Sequence, residues 1–326
     1  MNSFGRLYRI SIFGESHGKS VGILIDGCTP GIKLNEDDFI IDLNRRKAGE
    51  FGTTKRIEQD IPQIKSGVFN GYTTGAPILV QFENNNTNSS AYEKIKDIPR
   101  PGHSDFTASK KYNEFNDYRG GGHFSGRISL GLVAGGVIAK KMLSSVNLKA
   151  VVLDNEKESL KDRIKRAEDL GDSVGAVIEC RASDLEIGLG EPFFDSVESN
   201  LSHLVFSIPG VKGVEFGDGF SLTKKTGSEV NDLIINKNGV TKTNHSGGIN
   251  GGITNGNELV FRIAVKPTSS ILKTQKTINL KTGGIADLRI EGRHDTCFAL
   301  RVPVILEAVT AIVLSDFFLI RASGRQ

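Results

Sequence analysis

Five of the six histidines sit in glycine-bordered, charge-rich segments: His17 in GESHG, His103 in RPGHSD, His123 in RGGGHFSGR, His245 in NHSGG and His294 in GRHD. Imidazole gains and loses a proton near neutral pH, and glycine lets the backbone approach a ligand closely. Their repeated pairing with Arg, Asp and Glu predicts acid–base chemistry on an anionic substrate. His203 differs, because it lies among Leu201, Leu204 and Val205 on an amphipathic helical pattern and reads as structural.

The cations are grouped as well. Arg45, Arg46 and Lys47 close a predicted helix, where they complement its carboxyl-end dipole and can also bind phosphate or carboxylate. Arg100-Pro101-Gly102-His103-Ser104-Asp105 is a stiff turn carrying a base, an acid and a bidentate cation. In the run 119–127, Gly120–Gly122 and Ser125 precede a helix and could cradle an anion with backbone N–H groups, or serve close packing alone. Lys266-Pro267-Thr268-Ser269-Ser270 would line a phosphate or the edge of a flavin, and in Gly292-Arg293-His294-Asp295 the arginine would hold an anion while Asp295 exchanges a proton. His17 lies on a tight connection between two strands, and His245 stays open between a turn and a cofactor loop. No GxxxxGK[ST] occurs and no GxGxxG follows a strand, so neither a P-loop nor a Rossmann domain is supported.

These residues need a scaffold. Alternating or branched apolar runs at Leu7–Phe13, Val21–Ile25, Ile61–Val68, Ile78–Phe82, Val174–Cys180, Val211–Phe216 and Leu259–Val265 predict strands. Helices are predicted at Glu36–Arg46 with Asn35 as cap, Arg127–Leu143, Leu160–Leu170, Phe194–Ser207 and Pro303–Leu319. The second and last of these are apolar around most of their circumference and must be buried, with Gly131, Gly135 and Gly136 admitting close approach. The expectation is an α+β fold, central helices enclosed by sheets, with 1–326 as one domain and the polar run Asn84–Ser90 as a mobile loop. The two halves share a pattern of glycine-rich loops and one apolar helix, without a residue-level repeat.

A chain of 326 residues with a net charge of +3 is not basic enough for generic nucleic-acid binding. Cys28, Cys180 and Cys297 are far apart and form no CxxC, which fits a reducing cytoplasm better than a disulfide framework. The apolar stretch Val302–Leu314, interrupted by Pro303 and Glu307, falls short of a membrane span.

Taken in order, FGESHG, RPGHSD, DYRGGGHFSGR, GLGEP, VKGVEFGDGF, NHSGGINGG, KPTSS and GRHD resemble the chorismate synthase family over nearly the whole chain. The resemblance implies helices between antiparallel sheets, a homotetramer, and a carbon–oxygen lyase that ends the shikimate pathway of aromatic amino-acid biosynthesis. Its reaction is the 1,4-anti elimination of phosphate from 5-enolpyruvylshikimate 3-phosphate, with reduced FMN and no net redox change. By similarity, His17 stabilises or protonates the reduced flavin, His103 protonates the departing phosphate, and Asp295 assists proton removal through flavin N5. Arg45, Arg46 and Arg127 are expected to hold the substrate's phosphate and carboxylates. His123, Phe124, Ser125, Gly251, Lys266, Pro267, Thr268, Ser269, Ser270 and Arg293 match segments that contact flavin. NADPH is a candidate source of reducing equivalents, an external flavin reductase the alternative.

The chain departs from the family pattern in three places. Gly52 or a deletion stands where many members carry an additional arginine before the Thr-Thr pair, with Lys47 or Lys55 as candidates to compensate. HFSGR replaces a more basic, serine-rich flavin loop, and the region from Val151 to Gly171 is short. Two rival readings draw on the same residues. A metal-dependent phosphoesterase would use His103/Asp105 and His294/Asp295, although no HExxH-type spacing occurs. A noncatalytic basic RNA-binding module would use Arg45–Lys47, Lys110 and Lys111 with Tyr112 and Tyr118.

Overall fold

The computed structural model describes residues 2–49, 51–54, 58–85, 89–154, 157–290 and 294–324. Two antiparallel sheets enclose two helices. The first sheet has the order Ser3–Phe4, Arg9–Gly14, Ser20–Asp26, Ile78–Glu83, Gln63–Ile64. The second has the order Val211–Phe216, Leu259–Val265, Ala176–Ser183, Asn147–Leu153. In the Ser20–Asp26 strand Val21, Ile23 and Ile25 are fully buried while Leu24 is exposed, the period-two pattern of a sheet with one covered face.

The Ser129–Met142 helix lies on the first sheet and the Val302–Ala322 helix on the second, and the two pack against each other. This is the sheet–helix–helix–sheet order that their all-round apolarity predicts. Pro303 sits in the opening turn of the second helix, where a missing N–H costs nothing. Its most apolar window is 83% buried by the surrounding protein, so the helix is a core element. One hydrophobic cluster runs from Tyr8 to Ile320 through both sheets and both helices.

Glycine sets how closely these layers meet. A Cβ at Gly136 would lie 2.3 Å from the Cβ and 2.4 Å from the Cα of Ala308, so the two helical backbones touch there. A Cβ at Gly131 would lie 2.8 Å from the Gly22 carbonyl of the first sheet. Tyr8, fully buried, donates to the Gly135 carbonyl at 2.8 Å and pins that sheet to the helix.

Across the helices lies a polar cluster, buried at Glu307 and open to solvent at Arg45. Glu307, in the middle of the apolar second helix, takes both nitrogens of the Arg45 guanidinium at 2.6 Å and the Ala150 backbone N–H at 3.0 Å. Lys140 bridges it to Asp42 at 3.1 and 2.7 Å. Burial would raise the Glu307 carboxyl, but the Arg45 hydrogen bonds and the Lys140 charge outweigh it and hold it below its ordinary value.

Several predicted boundaries shift. The Glu36–Arg46 pattern splits into a 3-10 turn, Glu36–Phe39, capped by Asn35, followed by the helix Ile40–Arg46. The Ile61–Val68 run is broken into Gln63–Ile64 and the start of a separate small hairpin at Val68–Phe69. The Asn84–Ser90 run is more than a loop, since its two ends anchor side chains of the site; 86–88 lie outside the described residues.

Replacing Gly136 with alanine is expected to lower stability by about 2 kcal/mol, because parting two backbones costs more than the roughly 1 kcal/mol that alanine gains in helix propensity. Urea unfolding measures it, and an unchanged or raised midpoint would contradict the packing.

Candidate active site

A cavity of about 610 Å³ opens where the ends of both central helices meet the loops between the sheets. Its charged wall begins at the last turn of the Ile40–Arg46 helix. Arg46 is 2% exposed and donates Nε to Ser129 Oγ at 3.0 Å and Nη2 to the Gly126 carbonyl at 2.9 Å. Ser129 in turn donates to the same carbonyl at 2.6 Å, so the start of the central helix fixes the guanidinium. Arg127 donates to Asp60 at 2.8 Å and also to the Asn84 side chain and the Glu83 carbonyl. Asp60 lies 3.5 Å from Arg46 and so serves two guanidiniums at once. A third, Arg301, bonds the Arg46 carbonyl at 3.0 Å and Asp295 at 3.1 Å. Burial first, and then the Arg301 charge, lower the proton affinity of Arg46. Such a cluster gains from any anion that enters it.

The RPGHSD turn supplies the acid–base group. Asp105 chelates Arg100 through Nε at 2.7 Å and Nη2 at 2.8 Å, and its other face meets His103 Nδ1 at 2.6 Å. With Nδ1 engaged, the His103 ring is oriented so that its Cε1 and Nε2 edge faces Gly121. Burial would raise the Asp105 carboxyl; the hydrogen bonds from Arg100 and His103 reverse this and hold it well below the usual carboxylate range. The KPTSS segment locks this turn from the other side. Ser270 Oγ accepts from Arg100 at 3.0 Å, Ser269 donates to the Gly102 carbonyl at 2.8 Å, and Lys266 donates to that carbonyl too. Thr268 donates to the Asp295 carbonyl at 2.7 Å, and the Asp295 carboxylate accepts the Thr54 N–H at 2.8 Å.

His17 stands behind the cavity wall. It is 7% exposed, its Nδ1 meets Ser89 Oγ at 2.9 Å, and its ring lies edge-on to Tyr92. The glycine run passes between the two histidines. A Cβ at Gly120 would come within 2.5 Å of His17 Cδ2, and one at Gly121 within 3.4 Å of His103 Cε1. Gly120, Gly121 and Gly122 all take positive φ, at 59°, 81° and 54°. The run is therefore a spacer that only glycine can form, whatever else its N–H groups hold.

The remaining sequence-derived residues divide. His123, Phe124, Ser125, Lys266, Pro267, Thr268 and Ser269 line the cavity together with His103, Asp295, Arg46 and Arg127. His123 is held by a hydrogen bond from Nδ1 to the Gly14 carbonyl at 2.7 Å, and Ser125 caps the turn that presents Arg127. Ser270 lies just behind the wall, on Arg100. Arg45 is not part of the wall, because its guanidinium is taken by Glu307. Gly251 is likewise outside it, in the tight turn between Ile249–Asn250 and Ile253–Thr254. Arg293 and Lys55 lie outside the described residues.

The structure adds residues that the motifs did not single out: Asp60, Tyr92, Ser129, Pro209, Gly210, Phe298 and Arg301 all line the cavity. Arg301 was hidden in an apolar run, and Asp60 in a loop with no pattern. Gly52 takes a positive φ of 79°, and a Cβ there would press on Ile164 and Leu300, so apolar packing surrounds that position; Lys47 lines the cavity. His245 bonds Asp218 at 2.8 Å, apart from the cavity. Among the described residues no group of three His, Cys, Asp or Glu is placed to hold a metal ion. The basic groups of an RNA-binding surface are dispersed, since Arg46 is buried while Lys110 and Lys111 lie over Phe106 and Tyr112.

A half-enclosed cavity with several fixed guanidiniums, oriented imidazole and carboxylate, and one apolar side defines an enzyme that binds a polyanion and moves protons on it. Comparison with known proteins agrees. The chorismate synthase family model matches residues 8–319. Over 98% of this chain and 97% of the relative, the sequence is 59% identical to the chorismate synthase of Chitinophaga pinensis. It is 43% identical to that of Pyrococcus abyssi, over 97% of each chain. A crystal structure of a chorismate synthase superposes with a TM-score of 0.75 at 26% identity, over 98% of this chain and 93% of the other. The chain belongs to the chorismate synthase family, and it is a carbon–oxygen lyase.

Because Asp105 is depressed in the folded state, its stabilisation is complete above its unfolded value near 4 and fades as pH falls below it. Asp105→Asn should therefore cost about 2 kcal/mol at pH 7, the loss of charge-assisted hydrogen bonds, and roughly 1 kcal/mol less at pH 3. Denaturant unfolding at both pH values measures this; an equal gap at both would assign the effect to shape rather than charge.

Proposed function

We propose that the cavity catalyses the 1,4-anti elimination of phosphate from 5-enolpyruvylshikimate 3-phosphate, giving chorismate, with reduced FMN bound beside the substrate. The observation that carries this reading is the convergence of Arg46, Arg127 and Arg301 with His103 and Asp295 in one cavity. The substrate bears a phosphate and two carboxylates, and buried guanidiniums short of carboxylate partners are suited to such a ligand. We assign Arg46 and Arg127 to these anionic groups. Arg45, given to Glu307, acts in this reading by holding the helix that presents Arg46.

Phosphate leaves more readily when protonated, and His103 is the donor. Asp105 keeps its Nδ1 occupied, which directs the opposite ring edge to the cavity. Asp295, steadied by the Thr54 N–H and Arg301, takes up the proton lost from the substrate ring. His17, enclosed by Ser89, Tyr92 and Gly120, holds a proton at the far side of the glycine run. The residues present suit a flavin: the cavity has an apolar and aromatic side in Ile12, Leu132, Phe124 and Phe298, polar groups of His123, Ser125 and the 266–269 segment, and a buried imidazole nitrogen of His294 with no partner among the described residues. When bound, reduced FMN supplies and recovers electron density as the C–O bond breaks.

The reading treats 1–326 as one domain and places the enzyme in the cytoplasm, where its three buried, free cysteines stay reduced, as a homotetramer in the shikimate pathway. It takes reduced flavin from an external reductase, with NADPH as the more remote reductant. Anaerobic protein with chemically reduced FMN should release chorismate and phosphate in equal amounts; phosphate without chorismate would return the phosphoesterase reading. His17→Ala and His103→Ala should each lower turnover at least about tenfold, the lower end for losing an acid or base. Near-normal turnover in either folded variant would remove that residue from the mechanism.

A further inference from the structure

His294 immediately precedes Asp295 and lines the cavity, yet the chemistry above gives it no proton to move. Its Nε2 is buried and meets no hydrogen-bonding partner among the described residues. A polar atom closed off from water without a partner costs about 1–3 kcal/mol, so one that lines a cavity is better satisfied when a bound molecule supplies the missing partner. The surroundings also fix its charge. Burial first, then the Arg100 guanidinium and His103, press its pKa down to about 4 against the opposing pull of Asp295. At neutral pH the ring is neutral and keeps one N–H.

We propose that His294 is a ligand-binding residue whose neutral Nε2–H donates a hydrogen bond to an acceptor oxygen of the molecule held in the cavity. Donation is the sense that fits, because a polyanion offers acceptors almost everywhere. Neutrality matters in its own right. A further positive charge beside Arg100 and His103 would repel both, whereas an uncharged donor adds direction without charge and leaves His103 as the group that can give up a proton. His294 thus differs from its neighbour: His103 is oriented by Asp105, while His294 has no partner at Nε2 among the described residues and takes one from the ligand. The acceptor oxygen belongs either to flavin or to the phosphorylated substrate, both sources resting on the function proposed above.

The test compares His294→Leu, which keeps bulk and removes the donor, with His294→Gln, whose amide N–H can take the place of Nε2–H. FMN affinity is read by flavin fluorescence, substrate affinity by calorimetry on flavin-free protein, and folding by thermal melting, each alongside wild type. His294→Leu should weaken one of the two ligands about tenfold, the loss expected for one good hydrogen bond, with His294→Gln recovering at least about threefold of it. The ligand that is weakened identifies the source of the oxygen. The difference should stay constant between pH 6 and 8, since the ring does not titrate there. Unchanged affinity for both ligands in folded His294→Leu would overturn the proposal, as would equal loss in both variants. Wild-type protein that binds neither ligand would instead count against the proposed function itself.

Discussion

Three guanidiniums, two of them buried and the third largely so, share two carboxylates in the cavity wall, and much of the architecture can be understood as the means of holding them there. Arg46, Arg127 and Arg301 are grouped around Asp60 and Asp295. Left to itself, such an arrangement would repel its members or open to water. It persists because each guanidinium is also bonded to fixed backbone or hydroxyl oxygens: Gly126 and Ser129 for Arg46, Glu83 and Asn84 for Arg127, the Arg46 carbonyl for Arg301. These acceptors sit at the ends of the central helices and at the end of a sheet strand, so the rigidity of the sandwich is passed directly to the charges. Polar groups fixed before the ligand arrives need little rearrangement when it does, which is the condition for electrostatic catalysis.

The contrast between Arg45 and Arg46 shows how narrowly this is arranged. Adjacent residues on a helix point about 100° apart. One therefore turns between the central helices to Glu307, the other to the cavity. The Arg45 cluster is matched in charge, with Lys140 and Asp42 completing it; the Arg46 cluster is left short of negative charge. A buried carboxylate in an apolar helix would be costly alone, and Arg45 removes that cost while securing the helix whose last turn carries Arg46. The same dipeptide thus builds one structural and one functional ion cluster.

This difference marks what could be read in the sequence. The two central helices were legible because apolar residues surround them, and the strands Val211–Phe216 and Leu259–Val265 match their patterns to the residue. The strand Asn147–Leu153 was missed because apolar Val151 faces outward, so that Ala150–Leu153 reads as an unbroken apolar run rather than an alternation. The short helix Asp105–Lys111, mostly polar, has a single buried residue in Ala108 and so no apolar stripe to reveal it. Motifs identified His103, Asp295, Arg46 and Arg127 as chemically capable, but not which of Arg45 and Arg46 enters the cavity, since that depends on helix rotation against a residue more than 250 positions away. Asp60, Arg301 and Tyr92 had no local signature; long-range packing alone brings them to the site. Asn84 and Ser89, read as part of a mobile loop, instead hold Arg127 and His17, because side-chain amides and hydroxyls can satisfy buried cations and imidazoles as readily as they can form turns.

The glycine run gives the clearest case of a sequence signal with a different physical cause from the obvious one. Free N–H groups before a helix make phosphate binding the natural reading. In the structure a side chain at 120 would clash with the His17 ring, while one at 121 would lie in ordinary contact with His103 but at a positive φ that disfavours it. Glycine is needed there first for thickness and for positive φ. The consequence is geometric: Gly120 runs against the His17 ring and Gly121 beside the His103 ring, so one stretch of backbone lies next to both imidazoles, with His103 at the cavity and His17 behind its wall. A site that needs separate proton positions beside the same substrate is served better by such a placement than by two histidines in one open pocket, where protonating one would suppress the other through direct repulsion.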